Sequence, residues 1–491
     1  MDTVFTELTN ARPLDVHIWS KYPEVNVFVN KIYSDLITIK GHEKTNKKLL
    51  KVLLLDLYVA WATDRSLKIM FSRDNNAYKA KSRYNELHIG KKIIGIVDHL
   101  VSEGFIHEKR GFNDRFSGSA FLSRLWPTVK LEGLFSHARF NQFCIESHED
   151  RETIILRDEN KKNIDDYTDN LLTTTTRDLL KDYNLLLANT HIDIEILAEG
   201  ILTIGEGRAK MRLPINQTDK FVRRIFNENR WDKGGRFYGG WWQRCPKEYR
   251  IRITMDDIPT AELDYSGLHI VILYALEGIN YWSELNDDPY DIENHCICDE
   301  AIDLRAAVKL LMLTALNATS EKKAFKAFRS QCTTGSPEKK LKDDQLKSIL
   351  DALRRKHPLI EHKFASGAGI DLMFIDSQIT EILIERFTRH YECPILTVHD
   401  SYIVPFGYDH ILQREMEAAF EKVTGIKGPV IKHTTDYFEA LEGEYKDDEY
   451  PKNSWLSSIP TERHKKEWEL FKEFKGKPDR EDWVPSWTLL Y

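Results

Sequence analysis

Cysteine is scarce in this sequence, with six residues scattered over 491 positions. So few scattered thiols do not make a disulfide framework and are typical of a reducing compartment. Long apolar runs are also absent, because the densest one, residues 52–55, ends at Asp56, and this excludes a membrane-spanning segment. Residues 1–5 lack the basic start and the apolar stretch of a signal peptide. We therefore expect a cytoplasmic protein without a membrane partner.

A strong overall charge is missing too, but the charge is unevenly distributed. The net charge is −7, whereas residues 65–130 contain thirteen Lys and Arg against six Asp and Glu. That segment therefore carries +7 and the rest of the chain −14. A basic segment on an acidic body indicates a polyanionic partner, although a basic face that meets only solvent gives the same pattern.

The basic segment has the pattern of two helices followed by a hairpin. Apolar residues recur at helical intervals over residues 50–61 and 89–101, and residues 105–112 predict a strand that runs into a basic turn. This is the order of a winged helix, whose second helix often lies in a DNA groove. The predicted nucleic-acid contacts are Lys91, Lys92, Lys109 and Arg110. An ordinary small α+β module is the alternative.

Two aspartates close predicted strands that are far apart in the chain. Residues 249–255 alternate as a half-buried strand, turn at 256–257, and return as a strand that ends at Asp264. Residues 394–400 predict another strand, which ends at Asp400, and residues 401–405 leave as the next one. If these strands are neighbours, the two carboxylates meet at one sheet edge, where divalent cations would offset their repulsion. A strand-end Asp by itself is more often a helix cap or a turn former.

Cationic side chains accompany these acids. Residues 303–318 are a strong predicted helix, on which Arg305 and Lys309 lie four positions apart and share a face that could bind a triphosphate. Residues 232–236 place a cation in a glycine-rich turn that a nucleic-acid backbone could approach. A solvent-exposed pair on a helix and a plain turn are the respective alternatives.

Taken in order, these elements resemble the superfamily that joins DNA polymerase I-like (family A) enzymes and phage-type single-subunit RNA polymerases. Three segments resemble motifs A, B and C: Leu263-Asp264-Tyr265-Ser266, Arg305-x3-Lys309 and Val398-His399-Asp400-Ser401. Residues 232–236, Asp-x-x-Gly-Arg, resemble an RNA polymerase motif that contacts the template hybrid. Residues 288–295 resemble the Asp-Ile-His segment of family A, and 374–378 resemble the polar helix start before motif C. The resemblance covers about residues 205–440.

The resemblance implies an α+β fold with a right-hand polymerase core, in which an antiparallel palm sheet carries helical fingers. The residues that it assigns are Asp264 and Asp400 as ligands of two Mg²⁺ ions, Arg305 and Lys309 at the nucleotide phosphates, and Asp232 and Arg236 at the template or hybrid. Lys309 would also protonate the leaving pyrophosphate. The implied activity is DNA-templated nucleotidyl transfer from nucleoside triphosphates.

Two positions depart from the family pattern and leave the product open. Asn317 and Ala318 stand where motif B ends in Tyr-Gly, which removes a stacking surface beside the nucleotide. His269 stands where DNA polymerases have Glu and RNA polymerases have Gly. An imidazole there would crowd a ribose and favours deoxynucleotides, whereas the form of motif C and residues 232–236 are closer to RNA polymerases. The residues predicted to line the nucleotide pocket are Tyr265, His269 and Asn317.

Two other functions stay open at this point. One is a catalytically degraded, polymerase-shaped protein that binds nucleic acid, such as a replication initiator of a mobile element. The other is an unrelated α/β protein in which the motifs occur by chance.

We predict four regions along the chain and expect a monomer. Residues 1–130 form a mainly helical N-terminal region with the winged-helix-like module, and 131–204 form a helical connecting or thumb-like region in which the threonine run 173–176 is a break. Residues 205–440 form the palm and fingers. Residues 441–491 form a tail that packs on the body, because its tryptophans need apolar partners. These are Trp455, Trp468, Trp483 and Trp487.

Overall fold

The computed structural model describes residues 10–35, 41–114, 119–205, 211–292, 301–435 and 460–475, which form a mixed α+β fold. The helices are α1 Pro23–Asp35, α2 Glu43–Thr63, α3 Ile93–Ser102, α4 Val129–Ser136, α5 Leu171–Ala188, α6 Lys247–Arg250, α7 Leu268–Leu276, α8 Tyr281–Glu284, α9 Leu304–Asn317, α10 Glu321–Gln331, α11 Asp343–Lys356, α12 Gly369–Glu385, α13 Asp409–Thr424 and α14 Glu462–Lys475. The strands are β1 Ala11–Pro13, β2 Ile18–Trp19, β3 Lys68–Phe71, β4 Ile106–Lys109, β5 Phe112–Asp114, β6 Ser119–Phe121, β7 Ser123–Pro127, β8 Glu146–Ser147, β9 Ile154–Leu156, β10 Ile192–Ile194, β11 Ile201–Ile204, β12 Met211–Pro214, β13 Val222–Phe226, β14 Gly234–Gly239, β15 Ile253–Met255, β16 Ile258–Tyr265, β17 Leu396–Val398, β18 Ser401–Pro405 and β19 Ile431–Thr435. Within these residues no helix combines the length and the apolar character that crossing a membrane requires.

Six strands form the central sheet, in the order β10-β15-β16-β18-β17 with β19 also paired to β16. Every pairing in this sheet is antiparallel. The predicted turn between β15 and β16 is confirmed, and its two residues, Asp256 and Asp257, have positive φ angles of 49° and 62°. The strand before it is shorter than predicted, because α6 occupies the start of that segment and β15 begins only at Ile253. β16 pairs with three other strands and carries Asp264 near its end.

Helices pack on this sheet and form one continuous apolar core with it. The helix predicted over residues 303–318 is confirmed as α9. It begins after Asp303 because the carboxylate of Asp303 accepts a hydrogen bond from the amide of Ala306 at 3.0 Å. α7 follows β16 directly, after Gly267 in the left-handed conformation, and α12 lies against β14. These three helices supply the side chains that surround the end of β16.

The N-terminal region has its own apolar core and a four-stranded sheet in the order β1-β3-β7-β4. β7 pairs antiparallel with β3 on one edge and with β4 on the other. α2, α3 and β4 follow one another in the predicted order, but β3 lies between the two helices, and β5 pairs with β6 between β4 and β7. Strands make up more of this region than predicted. Its relation to a winged helix stays a prediction.

The predicted break at residues 173–176 is wrong, because α5 runs through the threonine run. Asn170 and Thr173 form a reciprocal cap, in which each side chain accepts a hydrogen bond from the backbone amide of the other. The hydroxyls of Thr174 and Thr175 donate to carbonyl oxygens one turn back, at 2.9 and 2.8 Å. The threonines therefore satisfy their polar groups within the helix instead of interrupting it.

Strand pairing crosses two predicted boundaries. β2 pairs with β8 across the boundary at 130/131. β9, β10 and β11, all from before residue 205, pair with β13, β15 and β12. In the predicted tail, α14 packs Trp468 against Phe143 and Phe471. The division into four regions stays a prediction. The other three tail tryptophans, Trp455, Trp483 and Trp487, lie outside the described residues.

Candidate active site

The end of β16 brings Asp264 to Asp400. β16 and β18 pair so that Asp264 lies opposite Ser401. β17 and β18 pair Val398 with Ser401, which leaves His399 and Asp400 as the two-residue turn between the strands. His399 accordingly has a positive φ of 59°. The two aspartates, distant in the sequence, therefore lie at the same end of one strand pair.

The two carboxylates interact in a partly buried setting. Burial, and after it the charge of Asp400, raises the pKa of Asp264 to about 7. A hydrogen bond from Ser401 and the charge of Lys309 act in the opposite direction. The Oδ1 atom of Asp264 is buried and has no hydrogen-bond partner among the residues that the structure describes. The site thus holds negative charge that the described part of the chain does not fully neutralise.

Two cations of α9 lie over the ring of Tyr290, close to this pair. The Nζ of Lys309 is 5.7 Å and the guanidinium carbon of Arg305 is 5.3 Å from the ring centroid. Both side chains are exposed, and Arg305 forms an ion pair with Asp288. Burial raises the pKa of Tyr290, and the charges of Asp400 and Asp264 add to this effect. Tyr290 therefore interacts both with the cations of α9 and with the two acids.

Arg236 lies in the same region, but its contacts differ from the prediction. Its Nε donates to Oδ2 of Asp376 at 2.7 Å, and its Nη2 donates to Nε2 of His269 at 3.0 Å. Asp376 is 1% exposed on α12, so Arg236 joins β14 to both α12 and α7. Burial raises the pKa of Asp376 to about 6, and Arg236 acts against that rise. Nε and Nη2 of Arg236 are therefore bound to the protein, and the predicted contact with a nucleic-acid backbone stays a prediction.

His269 is an uncharged base near Asp400. Burial, followed by the charge of Arg236, lowers the pKa of His269 to about 4. Because Nε2 accepts a hydrogen bond from Arg236, the ring proton must lie on Nδ1. Nδ1 is buried and has no partner in the described part of the chain. The residue that the sequence predicts to crowd a sugar therefore also offers a hydrogen-bond donor.

Two other predicted pocket residues have different surroundings. Tyr265 is 2% exposed, and its hydroxyl donates to the carbonyl oxygen of Met416 at 2.6 Å. It joins β16 to α13 inside the core, so we assign it to packing rather than to a nucleotide. Asn317 is exposed at the end of α9, and its amide donates to the carbonyl oxygen of Leu313 at 2.7 Å. It supplies no stacking surface.

The remaining predicted nucleic-acid contacts lie on the surface. Asp232 is exposed before β14 and forms an ion pair with Arg230. The basic residues predicted around the hairpin are all exposed, namely Lys91, Lys92, Lys109 and Arg110. On α3 itself the exposed charged side chain is Asp98. The basic residues therefore flank α3 rather than line it.

The acid pair fits a hard divalent cation. Mg²⁺ prefers oxygen ligands and is commonly bound by one or two carboxylates, and the unpartnered Oδ1 of Asp264 is an oxygen that such a cation would satisfy. Asp264 and Asp400 would hold it. Glu262 and Asp376 are also close by, but each of these carboxylates is already paired with an arginine.

Sequence reasoning missed Tyr290 and Glu262, and it gave Asp376 no role. The period of two along a strand places Glu262 on the same face as Asp264, so Glu262 could have been found. The contact between Asp376 and Arg236 spans 140 positions, and no local pattern reports it. Tyr290 belongs to a segment that resembles a polymerase element, but no spacing relates it to α9.

Comparisons with known proteins do not identify the chain. No protein-family model matches it, and no curated protein matches it. Among solved structures, it is similar to the POL domain of Pol1 from M. smegmatis in complex with DNA primer-template and dNTP, with a TM-score of 0.31 and 10% identity. The match covers 85% of this chain, which spans 66% of that one. A similarity this weak indicates neither a family nor a function for the chain.

Proposed function

We propose that this protein transfers nucleotides from nucleoside triphosphates to a growing strand on a DNA template. The observation that carries the proposal is the meeting of Asp264 and Asp400 at the end of β16, with a buried carboxylate oxygen that lacks a partner among the described residues. Such a pair is costly unless cations neutralise it. The proposal includes a right-hand arrangement in which the central sheet is the palm and α9 to α11 are the fingers.

The residues around the pair have separable tasks in this proposal. Two Mg²⁺ ions held by Asp264 and Asp400 would supply activation of the attacking hydroxyl and stabilisation of the leaving pyrophosphate. Arg305 and Lys309 would bind the triphosphate from their shared face of α9. Arg305 would exchange its ion pair with Asp288 for the phosphate. Lys309, whose charge already acts on Asp264, would protonate the pyrophosphate.

Sugar selection would act through His269. Its position is held by the hydrogen bond from Arg236, and its Nδ1–H could donate to a sugar hydroxyl. The bulk of the imidazole would exclude a ribose, whereas a donor at this position would bind a ribose hydroxyl. The proposal therefore covers both RNA and DNA as products. Replacing His269 with Gly should change the ratio of ribonucleotides to deoxynucleotides incorporated, measured in competition, more than it changes template binding.

The exposed basic residues around α3 would hold the template by its phosphates. Removing Lys91, Lys92, Lys109 and Arg110 together should weaken binding to DNA of any sequence. The slope of log affinity against log salt should become shallower by about 0.9 for each phosphate that the variant no longer neutralises. An unchanged slope would show that these four basic residues do not bind DNA phosphates.

The proposed activity is tested by primer extension with separate pools of rNTPs and dNTPs. Incorporation from either pool that depends on Mg²⁺ and is lost in Asp264→Asn and Asp400→Asn supports the proposal and identifies the product. No incorporation from either pool, on primed and unprimed DNA templates, contradicts it.

The missing aromatic at Asn317 favours a second candidate, a nucleic-acid-binding protein with degraded catalysis. In that case the basic surface would carry the function. Asp264→Ala and Asp400→Ala would then leave both DNA binding and the biological function intact.

A further inference from the structure

A second cluster of ligand-type side chains lies where α14 meets the central sheet. α14 is fixed there by Thr461, whose backbone amide donates to the carbonyl oxygen of Glu195 at 3.0 Å. Its next turn faces β10 and the residue before it. Three side chains from these two elements converge, and one ligand atom from each of His191, Asp193 and Glu467 lies within 4.8 Å of the others.

The two carboxylates of this cluster form ion pairs with basic side chains of α14. Arg463 donates to Asp193 at 2.9 Å and to Glu467 at 3.1 Å. The Nδ1 of His464 lies 2.6 Å from Asp193, and its Nε2 lies 3.1 Å from Asp257. These contacts use three of the roughly four acceptor positions of the Asp193 carboxylate. Glu467 contacts Arg463 and has a hydrogen bond with the side chain of Gln142, so each carboxylate keeps capacity for a further ligand bond.

The side chain of His191, by contrast, is buried without a polar partner among the described residues. Its side chain is 0% exposed, and neither Nδ1 nor Nε2 has a hydrogen-bond partner in the described ranges of the chain. The ring is enclosed by Phe143, Trp468 and Phe471, with centroid distances of 6.3, 5.6 and 5.2 Å. Burying a polar group without a hydrogen bond costs roughly 1–3 kcal/mol. A sequence that needed only packing at this position would be better served by an apolar ring.

We propose that His191, Asp193 and Glu467 bind a divalent transition metal, with Zn²⁺ as the ion that fits. An imidazole nitrogen with two carboxylate oxygens is a donor set of zinc sites, and it is softer than the all-oxygen set that Mg²⁺ prefers. Binding would satisfy the one buried nitrogen of His191 that faces the carboxylates. Because two ligands belong to the sheet side and one to α14, the ion would join α14 to the central sheet. The site is separate from Asp264 and Asp400 and does not depend on polymerase activity.

Zinc binding is tested on the full chain after removal of metals. Isothermal titration with Zn²⁺, supported by the visible absorption of Co²⁺ as a substitute, should show one site per chain in the background of Asp264→Asn/Asp400→Asn, which removes the proposed Mg²⁺ ligands. Glu467→Gln and His191→Gln should weaken that binding by at least roughly tenfold. The matched control is Glu469→Gln, on the exposed side of the same helix, which should bind as the wild type does. Asp264→Asn/Asp400→Asn should retain the site, which separates it from the proposed active site.

Melting temperatures with and without Zn²⁺ test the proposal even if the Gln variants fold poorly. In the wild type, saturating Zn²⁺ should raise the melting temperature, because a ligand that binds only the folded state stabilises it. His191→Phe should be at least as stable as the wild type without metal and should gain nothing from Zn²⁺. Absence of stoichiometric Zn²⁺ binding to the wild type overturns the proposal. Equal Zn²⁺ affinity in wild type, His191→Gln and Glu467→Gln overturns it as well.

Discussion

Glu262 and Asp264 lie two positions apart on β16 and share one face of the strand, yet their surroundings differ. Glu262 is 1% exposed, and its two oxygens accept hydrogen bonds from Arg250 at 2.7 and 2.9 Å. Asp264 keeps a buried oxygen without a described partner and interacts with Asp400. Buried carboxylates are normally paired. The contrast indicates that Glu262 serves the fold, whereas Asp264 keeps an oxygen that the cation of the proposed function would bind.

The largest expected effect is the difference between Asp264 and Glu262 variants in the rate of nucleotide incorporation. Asp264→Asn should lower the rate of nucleotide incorporation on the order of 10²- to 10⁴-fold, because it removes a metal ligand whose effect is several kcal/mol. Glu262→Gln should change that rate far less, because Glu262 binds Arg250 and not the cation. Single-turnover primer extension measures both rates. Equal losses in the two variants would break the comparison.

The second effect concerns the free energy of unfolding, for which the Glu262 variant should be affected more than the Asp264 variant. Glu262→Gln leaves Arg250 without its carboxylate, and breaking a buried ion pair from one side costs about 3–5 kcal/mol. Asp264→Asn should not destabilise the metal-free protein, because it removes repulsion with Asp400. Urea unfolding in the presence of EDTA gives the free energy of unfolding for each. A destabilised Asp264→Asn variant would show that Asp264 is itself structural.

The third effect is the pH dependence of the metal-free protein. Burial and Asp400 raise the pKa of Asp264 from 3.8 to about 7, so the folded state holds this proton more tightly than the unfolded state. The contribution of this proton to the free energy of unfolding is fully present below pH about 4 and is lost as pH rises towards about 7. The free energy of unfolding of Asp264→Asn, measured against the wild type, should therefore rise across this interval. A constant difference from pH 4 to 8 would contradict the raised pKa.

The smallest effect is stabilisation by Mg²⁺. At pH 8, above the pKa of about 7 of Asp264, millimolar Mg²⁺ should raise the melting temperature of the wild type by a few °C. Glu262→Gln should show the same increment from its lower starting temperature. Asp264→Asn should show none. Differential scanning calorimetry distinguishes these outcomes.

The sequence predicts the strands around Asp264 and Asp400 well, because their signals are local. Alternation over residues 249–255 and the acids at 256–257 locate the turn before β16. The strand predicted over residues 394–400 is found as β17, but it ends at Val398, because His399 and Asp400 form the turn to β18. The helix that carries Arg305 and Lys309 is equally local, since it follows from propensity and from the cap at Asp303. The prediction of a break at the threonine run is wrong because Thr disfavours helices only on average. Here the cap at Asn170 and the hydrogen bonds from Thr174 and Thr175 to carbonyl oxygens one turn back satisfy the polar groups of the helix.

Side-chain partners are what the sequence does not show. Arg236 has the position of a nucleic-acid contact in the motif, but Asp376 and His269, from two distant helices, accept hydrogen bonds from its Nε and Nη2. Tyr265 belongs to a motif as well, yet the packing of α13 buries its hydroxyl against Met416. Such contacts depend on which elements meet in three dimensions, and no spacing within one segment encodes that.

The central claim is tested most directly by counting bound metal at the acid pair. Mn²⁺ binding, followed by electron paramagnetic resonance, is measured in the Glu467→Gln background, which removes the second site proposed above. We predict Mn²⁺ binding that nucleoside triphosphate strengthens and that disappears when Asp264 and Asp400 are both changed to Asn. Mn²⁺ binding that is unchanged after both acids are neutralised would contradict the account.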